Sequence, residues 1–188
     1  MNTPCRNSGV GPAGTWKPLS PPSVAIHGSA YSLTVDPTGR FVYVPDCAYF
    51  DVAMFKILPD GRLQPMAPPT VQADAHPSAL VCHGYFAYVS CSHGSICQFR
   101  ILSTGVLVPL SPWRVTIGQF GGRDPSRVTF DHEGRFAYVM SPGDEAADTE
   151  TTIYQYRVSA NGTLRLLRKW RSDAEIVDGT AAIGFARH

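Results

Sequence analysis

Charge of either sign is scarce in this chain of 188 residues, and it nearly cancels. Sixteen Lys and Arg against fifteen Asp and Glu leave a formal net charge of +1. With its basic residues scattered, the chain has no positive stripe for a nucleic-acid backbone, so no nucleic-acid partner is expected. Long apolar runs are missing too, and nothing approaches the length of a membrane span. The first residues, Met1-Asn2-Thr3-Pro4-Cys5-Arg6-Asn7-Ser8-Gly9, have no apolar segment of the signal-peptide kind. As written the chain is expected in the cytoplasm; if it is a piece of a longer secreted protein, that expectation lapses. Cysteines number five, odd and sparse, which argues against a disulfide framework. Cys91 and Cys97 flank a hairpin turn, but a four-residue loop at Ser92-His93-Gly94-Ser95 would set Cys91 opposite Ile96 instead of Cys97. No two cysteines have zinc-finger spacing, and no metal or other cofactor is expected. Helix-capping signals, a Ser-centred nucleophile elbow and a phosphate-cradling Gly-rich loop ahead of a helix are absent as well.

What the chain does have is proline, glycine and repetition. Sixteen Pro and seventeen Gly sit in a chain that is 44% apolar and only 16% charged, which suits a folded domain of short strands and tight turns. The stretch Ser32-Leu33-Thr34-Val35-Asp36-Pro37-Thr38-Gly39-Arg40-Phe41-Val42-Tyr43-Val44 returns as Ser126-Arg127-Val128-Thr129-Phe130-Asp131-His132-Glu133-Gly134-Arg135-Phe136-Ala137-Tyr138-Val139. A shortened copy runs from Ser78 to Val89. Each copy reads as two strands joined by a turn, with Asp and Gly where a type I turn favours them. The second strand alternates aromatic and small aliphatic residues, as a strand covered on both faces does.

Tyr43, Tyr88 and Tyr138 stand 45 and then 50 residues apart, and each unit has room for four strands. That period predicts an all-β fold, a β-propeller of three four-stranded antiparallel blades at about residues 31–69, 77–113 and 125–170. Residues 1–13 have no strand pattern and are expected to be a flexible terminus ahead of a single propeller domain, 14–188. Strands of partial blades are expected at both ends, at 14–19 and 180–185. Asn161-Gly162 is a strong hairpin signal in the third unit. The loop between its second and third strands is long and acidic, with Asp144, Glu145, Asp148 and Glu150.

The motifs Val35-Asp36-Pro37-Thr38-Gly39-Arg40-Phe41-Val42-Tyr43-Val44 and Phe130 to Val139, with Gly61-x-Leu63 and Gly162-x-Leu164, resemble the YVTN-type propellers of the lactonase-like superfamily. That superfamily includes 6-phosphogluconolactonase-like and carboxymuconate-cyclase-like proteins. The resemblance covers residues 14–185, about half of a full-length member. It implies a site at the central channel, with histidine and arginine just ahead of the first strand of a blade. Ala75-His76-Pro77-Ser78 keeps such a histidine. Gly122-Arg123-Asp124-Pro125-Ser126-Arg127 has arginines nearby, but Ser126-Arg127 where an Arg-His pair would fall. Met140-Ser141-Pro142-Gly143 stands where a glutamate would follow the second strand.

The function this implies is hydrolysis of a small lactone or similar ester. His76 would be the base, Arg123 or Arg127 would hold a carboxylate or phosphate bidentately, and Asp124 would orient His76 or pair with an arginine. His27 precedes the first blade much as His76 precedes the second, so His27 and Tyr31 are candidate substrate contacts. A His27/His76 metal pair lacks a third ligand. His83 and His93 lie in turns and are weaker candidates. The plainer alternative makes His76 a turn residue before a proline and the arginines inter-blade bonds. The chain would then be a non-catalytic binding or self-assembling segment, favoured if Trp16, Trp113 and Trp170 prove exposed. Three blades span only part of a ring, so uncovered end faces and self-association are expected.

Overall fold

Residues 4–10, 16–92, 94–117, 127–141 and 151–172 of a computed structural model are described, and they contain strands and turns but no helix. Strands β1 (Pro4–Val10) and β2 (Trp16–Ala25) pair as a two-stranded hairpin. Blade one is β3 (Thr34–Val35), β4 (Phe41–Asp46), β5 (Asp51–Ile57) and β6 (Leu63–Gln72). Blade two is β7 (Pro77–His83), β8 (Phe86–Cys91), β9 (Ser95–Ile101) and β10 (Leu107–Thr116). Blade three is β11 (Thr129–Phe130), β12 (Phe136–Ser141), β13 (Thr151–Val158) and β14 (Leu164–Ser172). Each blade is a four-stranded antiparallel sheet in sequence order, as the repeat predicts. The expected strand at 180–185 and the acidic loop with Asp144 and Glu145 lie outside the described residues.

The repeated turn is held by its aspartate. The Asp36 carboxylate accepts N–H bonds from Arg40 and Phe41, both at 2.8 Å, and from Thr38 at 3.0 Å. Asp131 repeats this with the Phe136 N–H at 2.9 Å. Burial opposes the charge on Asp36, yet the Thr38 hydroxyl and these three N–H groups hold its carboxyl below the usual range.

Neighbouring blades dock by a contact that also repeats. The Tyr43 hydroxyl donates to the Gly105 carbonyl at 2.7 Å, and Tyr88 does the same to Gly162 at 2.7 Å. Two residues past each glycine, the Leu107 N–H points at Met54 Sδ (3.3 Å) and the Leu164 N–H at Gln98 Oε1 (2.6 Å). Around these bonds lie two apolar layers. Phe41, Tyr43 and Met54 pack on Leu80, Val89 and Phe99, and Tyr88 and Ile96 pack on Val128, Val139 and Tyr156. Innermost strands meet as well, through Thr34 Oγ1 donating to the Leu80 carbonyl at 2.7 Å.

The outer strands of blades one and two carry prolines, which cannot donate to a ladder and are tolerated at an edge. β14 has no proline and a smaller shift, between Gln155 and Tyr156. In β6 and β10 the prolines sit about a bulge at the same place: Pro65 pairs Phe55 and Thr70 pairs Ala53, while Pro109 pairs Phe99 and Arg114 pairs Cys97. The N-terminal hairpin repeats it, with Pro18 opposite Ser8 and Ser23 opposite Arg6. Strands β1 and β2 are thus strands three and four of a blade. Residues 1–13 carry no strand pattern, yet Pro4–Val10 form β1. Nor is the outer face of blade one bare, since Ile26, Val42, Val44, Ala53 and Phe55 are buried there with Val24 of β2 packed against them. One register differs from expectation. Cys91 stands opposite Ser95 and not Ile96, because β9 starts one residue earlier and the loop is a residue shorter.

Candidate active site

Antiparallel order fixes which turns share an end. The connectors leading into strand one lie at the same end as the turns joining strands two and three. His27, His76 and Arg127 all precede first strands, so they share this end with the turn Cys47–Phe50. His83, at the end of β7, is at the opposite end, stacked on Phe130 with ring centroids 4.5 Å apart. It is a packing residue.

Asp46, the last residue of β4, builds the framework. Its buried carboxylate accepts N–H bonds from Ser29 (3.1 Å), Ala48 (3.0 Å) and Tyr49 (3.3 Å). The Cys47 N–H bonds the Ser29 carbonyl at 2.8 Å, so the connector and the turn are stapled together. Gly28 makes room for this, since a Cβ there would come 2.1 Å from Asp46 Oδ1.

Two imidazoles meet this turn at adjacent residues. The His27 ring lies edge-on to Tyr49 at 6.3 Å, and His76 lies edge-on to Phe50 at 4.7 Å. His76 Nδ1 is 3.2 Å from Cys47 Sγ, within reach of a hydrogen bond whose direction depends on the tautomer. Phe50 (φ 57°) and His76 (φ 49°) are the non-glycine residues with positive φ among those described, and they touch each other. Such left-handed residues cost about 1–3 kcal/mol each and persist where surroundings fix them. Here the Phe50 carbonyl accepts from Gln72 Nε2 (2.6 Å) and the Ala73 N–H (2.8 Å). The His76 carbonyl accepts from the Ser92 N–H (3.2 Å) and Oγ (3.3 Å).

Two carboxylates flank the cluster. Burial pushes Asp51 above the usual carboxyl range, with the Asp46 charge adding to it and Thr70 and His27 opposing. Asp74, two residues before His76, accepts from Ala75 N–H (2.9 Å), Ser95 Oγ (2.8 Å) and Arg114 Nη1 (2.6 Å). Burial works against its charge, but these three donors hold it below the usual range.

Of the sequence-predicted residues, the structure brings His27 and His76 to one turn. Tyr31 is 74% exposed on the same connector as His27, and Arg127 is exposed just ahead of β11. Arg123 and Asp124 lie outside the described residues, as does His93. The sequence reading missed Cys47, Phe50 and Asp46. An acid ending the second strand was sought in the third unit, whereas Asp46 ends it in blade one. No group of three or more His, Cys, Asp or Glu among the described residues is arranged to hold a metal.

With this geometry in hand, solved structures are the informative comparison. No family model and no curated protein sequence matches. A candidate 6-phosphogluconolactonase from Bacteroides fragilis superposes with a TM-score of 0.74 at 17% identity, over 88% of this chain and 51% of its own. The periplasmic gluconolactonase of Pseudomonas aeruginosa gives 0.71 at 20% identity, over 89% and 50%. A Lactobacillus plantarum protein gives 0.68 at 18%, over 86% and 49%. The fold is that of half a lactonase-like propeller. At these identities the likeness is one of fold, and the chain spans about half the length of the structures it matches.

Proposed function

We propose that the chain supplies part of a lactonase-like hydrolase acting on a small lactone or similar ester at the His76 end of the blades. The observation that carries this reading is the contact of His76 with Cys47 and Phe50, in a backbone conformation that both rings share and neither favours. A turn residue chosen only to precede Pro77 has no need of φ 49° or of a fixed ring. In the tautomer whose Nδ1–H donates to Cys47 Sγ, Nε2 is the basic nitrogen, and it would take the proton of an attacking water. Arg127, with Arg123 and Asp124, would hold the acid or phosphate group of the substrate and the developing oxyanion, while His27 and Tyr31 would line the approach. The gluconolactonases among the structural neighbours support the substrate class through fold alone.

Turnover of a panel of sugar lactones and aryl esters by purified chain tests this. His76→Ala is expected to lower turnover by about 10²–10⁴-fold, the usual worth of a general base, with folding intact by circular dichroism. Equal turnover by the folded variant would remove His76 from the chemistry. A non-catalytic binding segment is the second reading, favoured by Trp113 and Trp170, which stay 38% and 44% exposed on the outer strands. No turnover on any lactone by a folded chain, together with capture of a partner lost in Trp113→Ala, would favour it.

A further inference from the structure

In blade two, Cys91 on β8 and Cys97 on β9 are both fully buried, and their sulfurs are 3.6 Å apart. The pair is diagonal, because Cys91 stands opposite Ser95 and Cys97 opposite Val89. Cys91 also approaches the Val89 carbonyl at 3.7 Å, and Cys97 Sγ accepts the Asp74 N–H at 3.2 Å. We infer that Cys91 and Cys97 form a reversible disulfide inside blade two, and that the Asp74–His76 turn registers it.

The roles of the two sulfurs differ. The Cys91 bond and the Asp74 N–H favour a thiolate on Cys97 against the cost of burial and the Asp74 charge, with Arg114 adding a little, while Cys91 keeps its proton. Cys82, half-buried on the neighbouring strand, is pushed up to about 12 by burial and stays a thiol. The oxidant must be small to enter a closed blade, and a peroxide meets that need. The Cys97 thiolate attacks one oxygen of hydrogen peroxide, breaking the O–O bond and leaving a sulfenic acid and hydroxide. Cys91 then attacks the sulfenic sulfur, the S–S bond forms, and hydroxide leaves. The protons that Cys97 and Cys91 have given up complete two waters. Two thiols lose two electrons and the peroxide gains them.

Bonding draws the sulfurs from 3.6 Å to about 2.05 Å. Cys97 Sγ thereby moves off the Asp74 N–H, and a disulfide sulfur is a weaker acceptor than a thiolate. Asp74 is held from its other side by Ser95 and Arg114, and two residues on is His76. The turn at the candidate site therefore loses one of its anchors on oxidation.

The full chain, reduced with a phosphine and then treated with hydrogen peroxide, tests both halves. Intact mass should show the loss of two hydrogens, reversed by dithiothreitol, and a peptide map should link Cys91 to Cys97. Cys47→Ser and Cys82→Ser should still lose two hydrogens on oxidation, and Cys91→Ser and Cys97→Ser should not. A link through Cys5, Cys47 or Cys82, or oxygen addition without loss of two hydrogens, would overturn the dithiol. Amide exchange at Asp74 should be about fivefold or more faster in the oxidised wild-type chain, as expected for loss of one hydrogen bond. Unchanged exchange there would overturn the coupling. Neither readout uses turnover, so failure here and failure of the hydrolase reading are told apart.

Discussion

Gly105 and Gly162 are where the repeated blade contact makes a strict demand on sequence. Both have φ near 87° (87° and 86°), and a Cβ would sit 2.3 Å from the Phe41 ring at Gly105 and 2.2 Å from the Phe86 ring at Gly162. The ring atoms met include Cγ, the stem of the side chain, so the neighbour cannot swing a free tip aside. Alanine at either position therefore meets two penalties. The left-handed backbone costs about 1–2 kcal/mol for an L-residue, and overpacking of this kind adds about 1–3 kcal/mol. Gly39 and Gly84 separate the two, since they have φ of 71° and 55° with nothing within 4 Å of the added atom. Their alanine variants carry the backbone term alone. Urea unfolding followed by circular dichroism is the assay. Gly39→Ala and Gly84→Ala should cost about 1 kcal/mol, after allowing for the stiffer unfolded chain, and Gly105→Ala and Gly162→Ala about 2–4 kcal/mol. At slopes of about 1–3 kcal/mol per molar urea, the second pair should lose about 1 M or more of midpoint. Four equal losses would refute the packing argument, and with it the account of how blades dock.

Tyr88→Phe leaves the buried Gly162 carbonyl without its donor and should cost about 1–3 kcal/mol in the same assay; a neutral effect would mean the bond does not hold blades two and three together. Asp51→Asn should raise the melting temperature at pH 7. The folded-state pKa is raised, so the native chain holds this proton more tightly and stability falls as pH climbs through and above the ordinary value of 3.8. The gain from Asn should vanish below that value, and a gain that persists in acid would contradict this reading of Asp51. We propose that the purified chain self-associates, most simply as a two-fold dimer, and light scattering should then report twice the monomer mass at micromolar concentration. A cooperative monomer would rule that out.

The architecture was legible because the blade is written three times. Asp36-Pro37-Thr38-Gly39 and Asp131-His132-Glu133-Gly134 mark the same turn, and Tyr43 and Tyr88 make the same bond to the next blade. β1 was not legible. Pro4-Cys5-Arg6-Asn7-Ser8-Gly9-Val10 has no alternation and a single β-branched residue, Val10, and it becomes a strand by pairing with β2. The ends of the outer strands were missed for a related reason. β6 and β10 run past the expected blade ends at 69 and 113 to Gln72 and Thr116, because an edge strand passes over Pro68 and Pro112 in a bulge. At the candidate site, the position of His76 before strand one was readable. Its thiol partner was not, because Cys47 lies 29 residues earlier and meets it only when two blades pack. The positive φ of Phe50 and of His76 left no trace in a sequence where glycine marks the other such positions among the described residues.

A lactone-like ligand is proposed to bind at the His27 and His76 end of the blades. Histidine-selective NMR of the folded chain, titrated with a non-hydrolysable lactam analogue, reads this directly. His76 should shift with saturation, His27 should follow it, and His83, stacked on Phe130 at the opposite end, should stay still. Movement of His83 alone, or no movement of any imidazole at millimolar analogue, would contradict the claim.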